Sequence, residues 1–107
     1  MDRDGIPDEV KRFILVSIQS VPYLEAILLL RSERRYAWDS KQLARGLYMS
    51  EKAAGELLSA LLAAEVVVTT EQQPTSFRYH PGSDHLRQMI DRLADAYASN
   101  LVAVTNL

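Results

Sequence analysis

Apolar residues recur at three- and four-residue steps along most of the chain and switch to alternation in one short stretch. Leu43, Ala44 and Leu47 form one helical stripe, and Ala54, Leu57, Leu58, Leu61 and Leu62 form a second. Each has its own start signal. Asp39 can accept from the free N–H groups of a first turn, and Gln42, three residues on, completes a capping-box pattern. Ser50 caps the second helix, and Gly46, Tyr48 and Met49 carry the chain through the break between the two. Residues 39–64 therefore read as a helix-turn-helix with both apolar sides turned inward.

Upstream, Ile6-Pro7-Asp8-Glu9 reads as a helix start, with proline at the first helical position and acids where the helix dipole favours them. Val10, Phe13, Ile14 and Ile18 continue at helical spacing, although FILVSI also fits a buried strand and helix is only the preferred reading. This segment is expected to pack on the C-terminal helix or on a second subunit. Ser20 and Pro22 signal the next start. YLEAILLL is apolar nearly all round, which predicts a central helix buried on most sides, ending in RSERR at the negative end of its dipole. Tyr36-Ala37-Trp38 is a short extended link. Trp38 is expected to pin it to the core, with stacking on a ligand as the alternative.

Downstream, residues 66–70 are β-branched and residues 76–80 alternate, which predicts two strands around the polar turn at residues 71–75. A hairpin directly after a helix-turn-helix is a wing. Pro81-Gly82-Ser83-Asp84 stops it and caps a last helix. Leu86, Met89, Ile90, Leu93, Tyr97, Leu101 and Val104 lie along one stripe of that helix, close to a heptad seam.

The length suits one domain with a single core. The chain has no cysteine, so a disulfide framework and thiolate metal sites are excluded, and a reducing cytoplasm is the expected location. MDRDGIPDEV is acidic and polar, unlike a signal peptide, and the longest apolar runs, residues 13–16 and 26–30, are far too short to span a bilayer. A net charge of −2 gives no global pull towards nucleic acid. Its distribution is uneven. Residues 31–52 hold six bases (Arg31, Arg34, Arg35, Lys41, Arg45, Lys52) against three acids (Glu33, Asp39, Glu51), which makes that segment +3 and the remainder −5.

Catalytic motifs are missing. There is no glycine-rich phosphate loop, no HExxH and no nucleophile elbow. Glu51 and Glu56 sit five apart, off one helix face, and make a poor acid–base pair. His80, Asp84 and His85 are the one potential nitrogen–carboxylate cluster. Capping and surface roles suit them better than a metal site, which needs three or four convergent ligands. No enzymatic activity, cofactor or metal is expected.

The order helix, helix-turn-helix, hairpin, long helix resembles the bacterial winged helix-turn-helix regulators of the broad MarR-like kind. The matching pieces are residues 21–31, the Trp38 link, residues 39–64, residues 66–80 and the helix from Asp84. SVPYLEAILLLR, with the later Trp38, Leu43-Ala44 and FRYHP pieces, is also similar to a group of small bacterial proteins with this layout. The resemblance is one of layout and covers about four fifths of the chain, so it speaks to fold more than function. It implies that the second helix of the pair enters the major groove. The base-facing candidates are then Ser50, Glu51, Lys52, Gly55, Glu56 and Ser59, and the phosphate candidates are Arg34, Arg35, Lys41, Arg45 and, on the wing, Arg78. Two acids among six groove-facing positions are a departure from a good DNA reader, because a carboxylate has essentially only cytosine N4–H to accept from.

These features predict a mainly α, single winged helix-turn-helix domain over residues 1–107. It comprises an N-terminal helical segment (1–20), the core with its two-stranded β wing (21–82) and a long C-terminal helix (83–107). The expected function is a DNA-binding transcriptional regulator with duplex DNA as partner and no membrane. The alternative is a protein-interaction winged helix without direct DNA binding, docking a protein partner on the acidic second helix. Leu57, Leu58, Leu61, Ile27 and Leu28 are the predicted core. A helix from Asp84 to Thr105 would run about 30 Å, and its long apolar stripe predicts a homodimer built on the N- and C-terminal helices; the competing expectation is that these helices cover each other within one chain.

Overall fold

The computed structural model describes residues 6–70 and 75–99. Helix α1 (Asp8–Ser17) is followed by α2 (Val21–Ser32), α3 (Ser40–Leu47) and α4 (Glu51–Ala63), then strands β1 (Val67–Thr69) and β2 (Phe77–Tyr79), then α5 (Asp84–Ser99). This is the layout of a mainly α winged helix-turn-helix with a two-stranded wing and a long C-terminal helix.

Local chemistry starts α2 to α5 where expected, whereas at α1 Pro7 is the N-cap residue and Asp8, not the proline, is the first helical position. The Ser20 hydroxyl accepts from the Tyr23 N–H at 3.2 Å, and Ser50 accepts from Ala53 at 3.1 Å. At α3 the capping box is complete: Asp39 Oδ1 accepts from the Gln42 N–H at 2.7 Å, and Gln42 Oε1 accepts from the Asp39 N–H at 3.0 Å. Ser83 caps α5 through the Leu86 N–H at 3.1 Å. The segment containing FILVSI is helical up to Ser17, and Ile18 leaves it in extended conformation. Four-residue steps decide the matter, because Ile6, Val10 and Ile14 all point inward.

Two hydrophobic clusters share α2. The larger lies beneath the helix-turn-helix and wing: Tyr23, Ala26, Ile27 and Leu30 of α2 meet Leu43 and Ala44 of α3, Ala54, Leu58 and Leu61 of α4, Val67 and Tyr79 of the wing, and Ile90. The smaller joins Ile6, Val10 and Ile14 to Leu24 on the other side of α2 and to Leu93 and Ala96 of α5. An almost wholly apolar α2 follows from having both clusters to serve. The N- and C-terminal helices thus cover each other within the chain as far as Ala96. Leu101 and Val104 of the predicted stripe fall outside the described residues.

Three packing expectations need correction. Leu28 and Leu57 are half-buried, not fully enclosed, and Leu62 is 40% exposed. The inward face of α4 is the narrower Ala54–Leu58–Leu61 stripe. Gly46 belongs to α3 and not to the turn. A Cβ there would come within 2.9 Å of Leu29 Cδ2 and 3.7 Å of the Trp38 ring, so its role is the close approach of α3 to α2 and the link.

The wing is antiparallel, with Val67 opposite Tyr79 and Thr69 opposite Phe77. Trp38 extends it. Its N–H donates to the Phe77 carbonyl at 2.7 Å, and the Phe77 N–H donates to the Trp38 carbonyl at 2.8 Å. The link therefore forms a one-residue third strand beside β2. No single helix among the described residues is long and apolar enough to cross a membrane.

Candidate nucleic-acid interface

The elements place the predicted contact residues as follows. Lys41 and Arg45 are exposed one turn apart on α3, and Arg34 and Arg35 are exposed just after α2. On β2 the pleat turns Tyr79 inward and Arg78 outward, leaving Phe77 half-buried. Ser50, Glu51, Lys52, Glu56 and Ser59 are exposed on α4. Gly55 differs from its neighbours. It is half-buried, and a Cβ there would lie 3.9 Å from Ser40 Cβ, so its open side faces α3. The Ser50 hydroxyl is already engaged in its cap.

The Trp38–Phe77 pairing brings together two candidates that are distant in sequence. Arg35 and Arg78 line one pocket of about 420 Å³ with Tyr36, Ala37, Trp38 and Gln42, at the root of the wing and beside the start of α3. No carboxylate is among these lining residues.

Ion pairing separates the cations into two groups. Arg31 Nε donates to Asp91 Oδ1 at 3.0 Å, joining α2 to α5; Arg92 pairs with Glu9, joining α5 to α1; and Arg87 pairs with Asp84 at 2.7 Å. Among the described residues, Arg34, Arg35, Lys41, Arg45, Lys52 and Arg78 have no such partner, and neither has Arg12, exposed on α1. Arg31, counted by sequence with the basic segment, is thereby committed to the fold.

Two tyrosines, read in the sequence only as part of the turn and of the second strand, have environments that nothing local announced. Tyr48, at the end of α3, is 96% exposed and sits in the left-handed region with φ 55°. Only a glycine in the turn would have flagged that conformation in advance. Tyr79 is 7% exposed, and its buried hydroxyl has no hydrogen-bond partner among the described residues. Burial pushes its pKa from 10.0 up to about 12, with Asp91 adding to the rise while Arg31, Arg34 and Arg87 oppose it. It is therefore neutral at physiological pH and serves as core.

His80, Asp84 and His85 are all exposed, and Asp84 is paired with Arg87. No group of three or more potential metal ligands comes together among the described residues. Comparison with protein-family models, with curated proteins and with solved structures found no match.

Proposed function

We propose that this chain binds duplex DNA as a winged-helix transcriptional regulator, gripping chiefly the phosphate backbone. The observation that carries this reading is the concentration of unpaired cations, six of the seven that have no ion-pair partner among the described residues, the seventh being Arg12 on α1. Arg34, Arg35, Lys41, Arg45, Lys52 and Arg78 belong to the helix-turn-helix, its approach and its wing, and none is neutralised by a side chain of the described residues. Such like charges repel one another and favour a polyanionic partner. Glu51 and Glu56 at the front of α4 limit base reading, so affinity rests on the flanking cations and sequence discrimination is modest. Binding of the protein to random-sequence duplex across a salt series tests this. Log affinity should fall linearly with log salt, with a slope of about −0.9 per phosphate neutralised. No binding at low salt would remove the proposal.

A second reading draws on Tyr48. An aromatic ring 96% exposed, close in sequence to Glu51 and Glu56, suits a basic, apolar protein surface better than it suits a groove wall. Cross-linking through a photoreactive residue at position 48, recovering protein and not DNA, would favour it.

A two-fold dimer is compatible with either reading. The first part of the α5 stripe is covered by α1 and α2, which leaves the outer side of α1, where Leu15 and Val16 are 67% and 80% exposed, as an apolar surface open to a second copy among the described residues. Sedimentation equilibrium decides this, since a mass of 12.1 kDa at micromolar concentration excludes a dimer.

A further inference from the structure

We infer that the pocket at the root of the wing is a phosphate seat, and that on duplex DNA it holds one phosphodiester of the backbone. The identity of the phosphate's source rests on the DNA reading above; the seat itself does not.

Three donor-bearing side chains line the pocket from three separate places: Arg35 just before the link, Arg78 on β2 and Gln42 in the first turn of α3. The Gln42 amide has a fixed orientation. Its Oε1 is held by the Asp39 N–H at 3.0 Å, so the acceptor end is occupied and the Nε2 group is left without a partner among the described residues. The capping box that starts the helix therefore also leaves the donor end of this pocket-lining amide free. Asp39 is the nearest acid in sequence, and its Oδ1 is committed to the Gln42 N–H at 2.7 Å. With two arginines, an amide N–H₂ and no carboxylate among the described residues that line it, the pocket selects an oxyanion that can accept several hydrogen bonds at once. Phosphate fits that demand, and guanidinium forks match its oxygens in pairs. A volume of about 420 Å³ exceeds what a bare phosphate fills, and the Tyr36 ring, 62% exposed at the rim, offers an apolar wall to the sugar beside it.

Trp38 is the only tryptophan of the chain and it lines this pocket, so its fluorescence reports occupancy directly. The decisive variant is Gln42→Glu. Glutamate completes a capping box as well as glutamine does, so the helix start is kept, while the amide donor is exchanged for a negative charge. The wild-type chain and the variants Q42E, R35Q and R78Q are titrated with a labelled random-sequence duplex and, separately, with inorganic phosphate and a 5′-mononucleotide. Trp38 emission, duplex anisotropy and melting temperature are followed.

The expected result is a Trp38 change on duplex binding, with affinity reduced about tenfold or more in Q42E, the scale of a lost charge-assisted hydrogen bond, at an unchanged melting temperature. R35Q and R78Q should weaken binding in the same direction. Duplex affinity in Q42E equal to wild type, while Lys41→Glu still weakens it, would overturn the seat and leave the DNA reading standing. A Trp38 response to phosphate or mononucleotide that depends on Arg35 and Arg78, in a chain that does not bind duplex, would do the reverse. It would establish the seat for a free phosphate and remove the DNA reading. No Trp38 response to any of the three probes overturns the seat.

Discussion

The cluster beneath the helix-turn-helix and wing and the cluster between α1, α2 and α5 are built from similar aliphatic side chains, yet their outer sides carry charge differently. Around the second cluster, Glu9–Arg92 and Arg31–Asp91 tie α5 to α1 and to α2. These pairs are partly exposed, so they set how the helices lie against one another more than they stabilise the fold. Around the first cluster the cations of the link, α3, α4 and wing face solvent unpaired. Charge that is balanced internally serves the fold. Charge left unbalanced, at a cost in self-repulsion, is where an outside partner is to be sought.

The largest expected effect tests whether the two clusters unfold together. Leu61 and Leu93 are both fully buried, one in each cluster. Leu61→Ala should cost on the order of 2–5 kcal/mol, through lost transfer energy and a residual cavity. Leu93→Ala should cost about as much if unfolding is cooperative. Urea transitions followed by far-UV circular dichroism and by Trp38 fluorescence should then coincide in both variants. Early loss of helix in Leu93→Ala with an unmoved Trp38 transition would show that α1 and α5 melt separately.

Tyr79 lies where the two regions meet, packed in the first cluster with Asp91 and Arg31 of the interhelical pair acting on it. Burial is the main cause of its raised pKa, so the fold favours the neutral phenol. For a group raised from 10.0 to about 12, the stabilising contribution is complete below pH 10 and is lost as pH rises through the folded value. The full loss amounts to roughly 2–3 kcal/mol. Tyr23 is raised by burial as well and adds a change of the same sign. Unfolding free energy measured from pH 8 to pH 12 should therefore decline above 10. Tyr79→Phe should flatten that decline while costing little at neutral pH, because the hydroxyl it removes has no partner among the described residues. An unchanged alkaline slope would mean that Tyr79 is not the responsible group.

The charge contrast itself can be broken by two reversals. Arg45→Glu should reduce duplex affinity about tenfold and lower the salt slope by about 1, with stability nearly unchanged. Arg92→Glu should do the opposite, leaving affinity intact and lowering stability by up to about 1 kcal/mol through loss of the Glu9 contact. If both reversals weaken DNA binding equally, the division between structural and available cations is wrong.

Features encoded within a few residues were legible in the chain. Asp39 with Gln42, Ser20, Ser50 and the alternation around Phe77 to Tyr79 act over one turn or one pleat, and each is found in place. What was missed depends on chain segments that meet only after folding. Arg31 and Asp91 are 60 residues apart, and nothing local marks them as a pair. The same holds for Trp38 with Phe77, and so for the pocket where Arg35 meets Arg78. The apolar stripe of α5 announced a face needing cover and left two covers open, a second copy of the chain or its own N-terminal helix. Through Ala96 that cover is α1 and α2. On α4, five apolar positions span more of the helix than its neighbours enclose, which is why Leu62 is left 40% exposed.

Tyr48 separates stability from function by the smallest expected amount. The backbone there has φ 55°, where a Cβ crowds the carbonyl and glycine is favoured. The side chain recovers almost nothing within the chain, being 96% exposed. Tyr48→Gly should relieve the backbone cost at the end of α3 and lose little packing. Glycine's greater freedom in the unfolded chain offsets part of the gain, which leaves a net stabilisation of about 0.5–1 kcal/mol. Tyr48→Ala keeps the Cβ and so the backbone cost, and should be close to neutral. A rise in melting temperature for the glycine variant alone confirms that the residue is held against its backbone preference. If both variants then weaken duplex binding to a similar extent, the ring itself contacts DNA. If neither does while a protein partner is lost, Tyr48 belongs to the docking reading, and the working surface extends past the cations to the turn that joins α3 to α4.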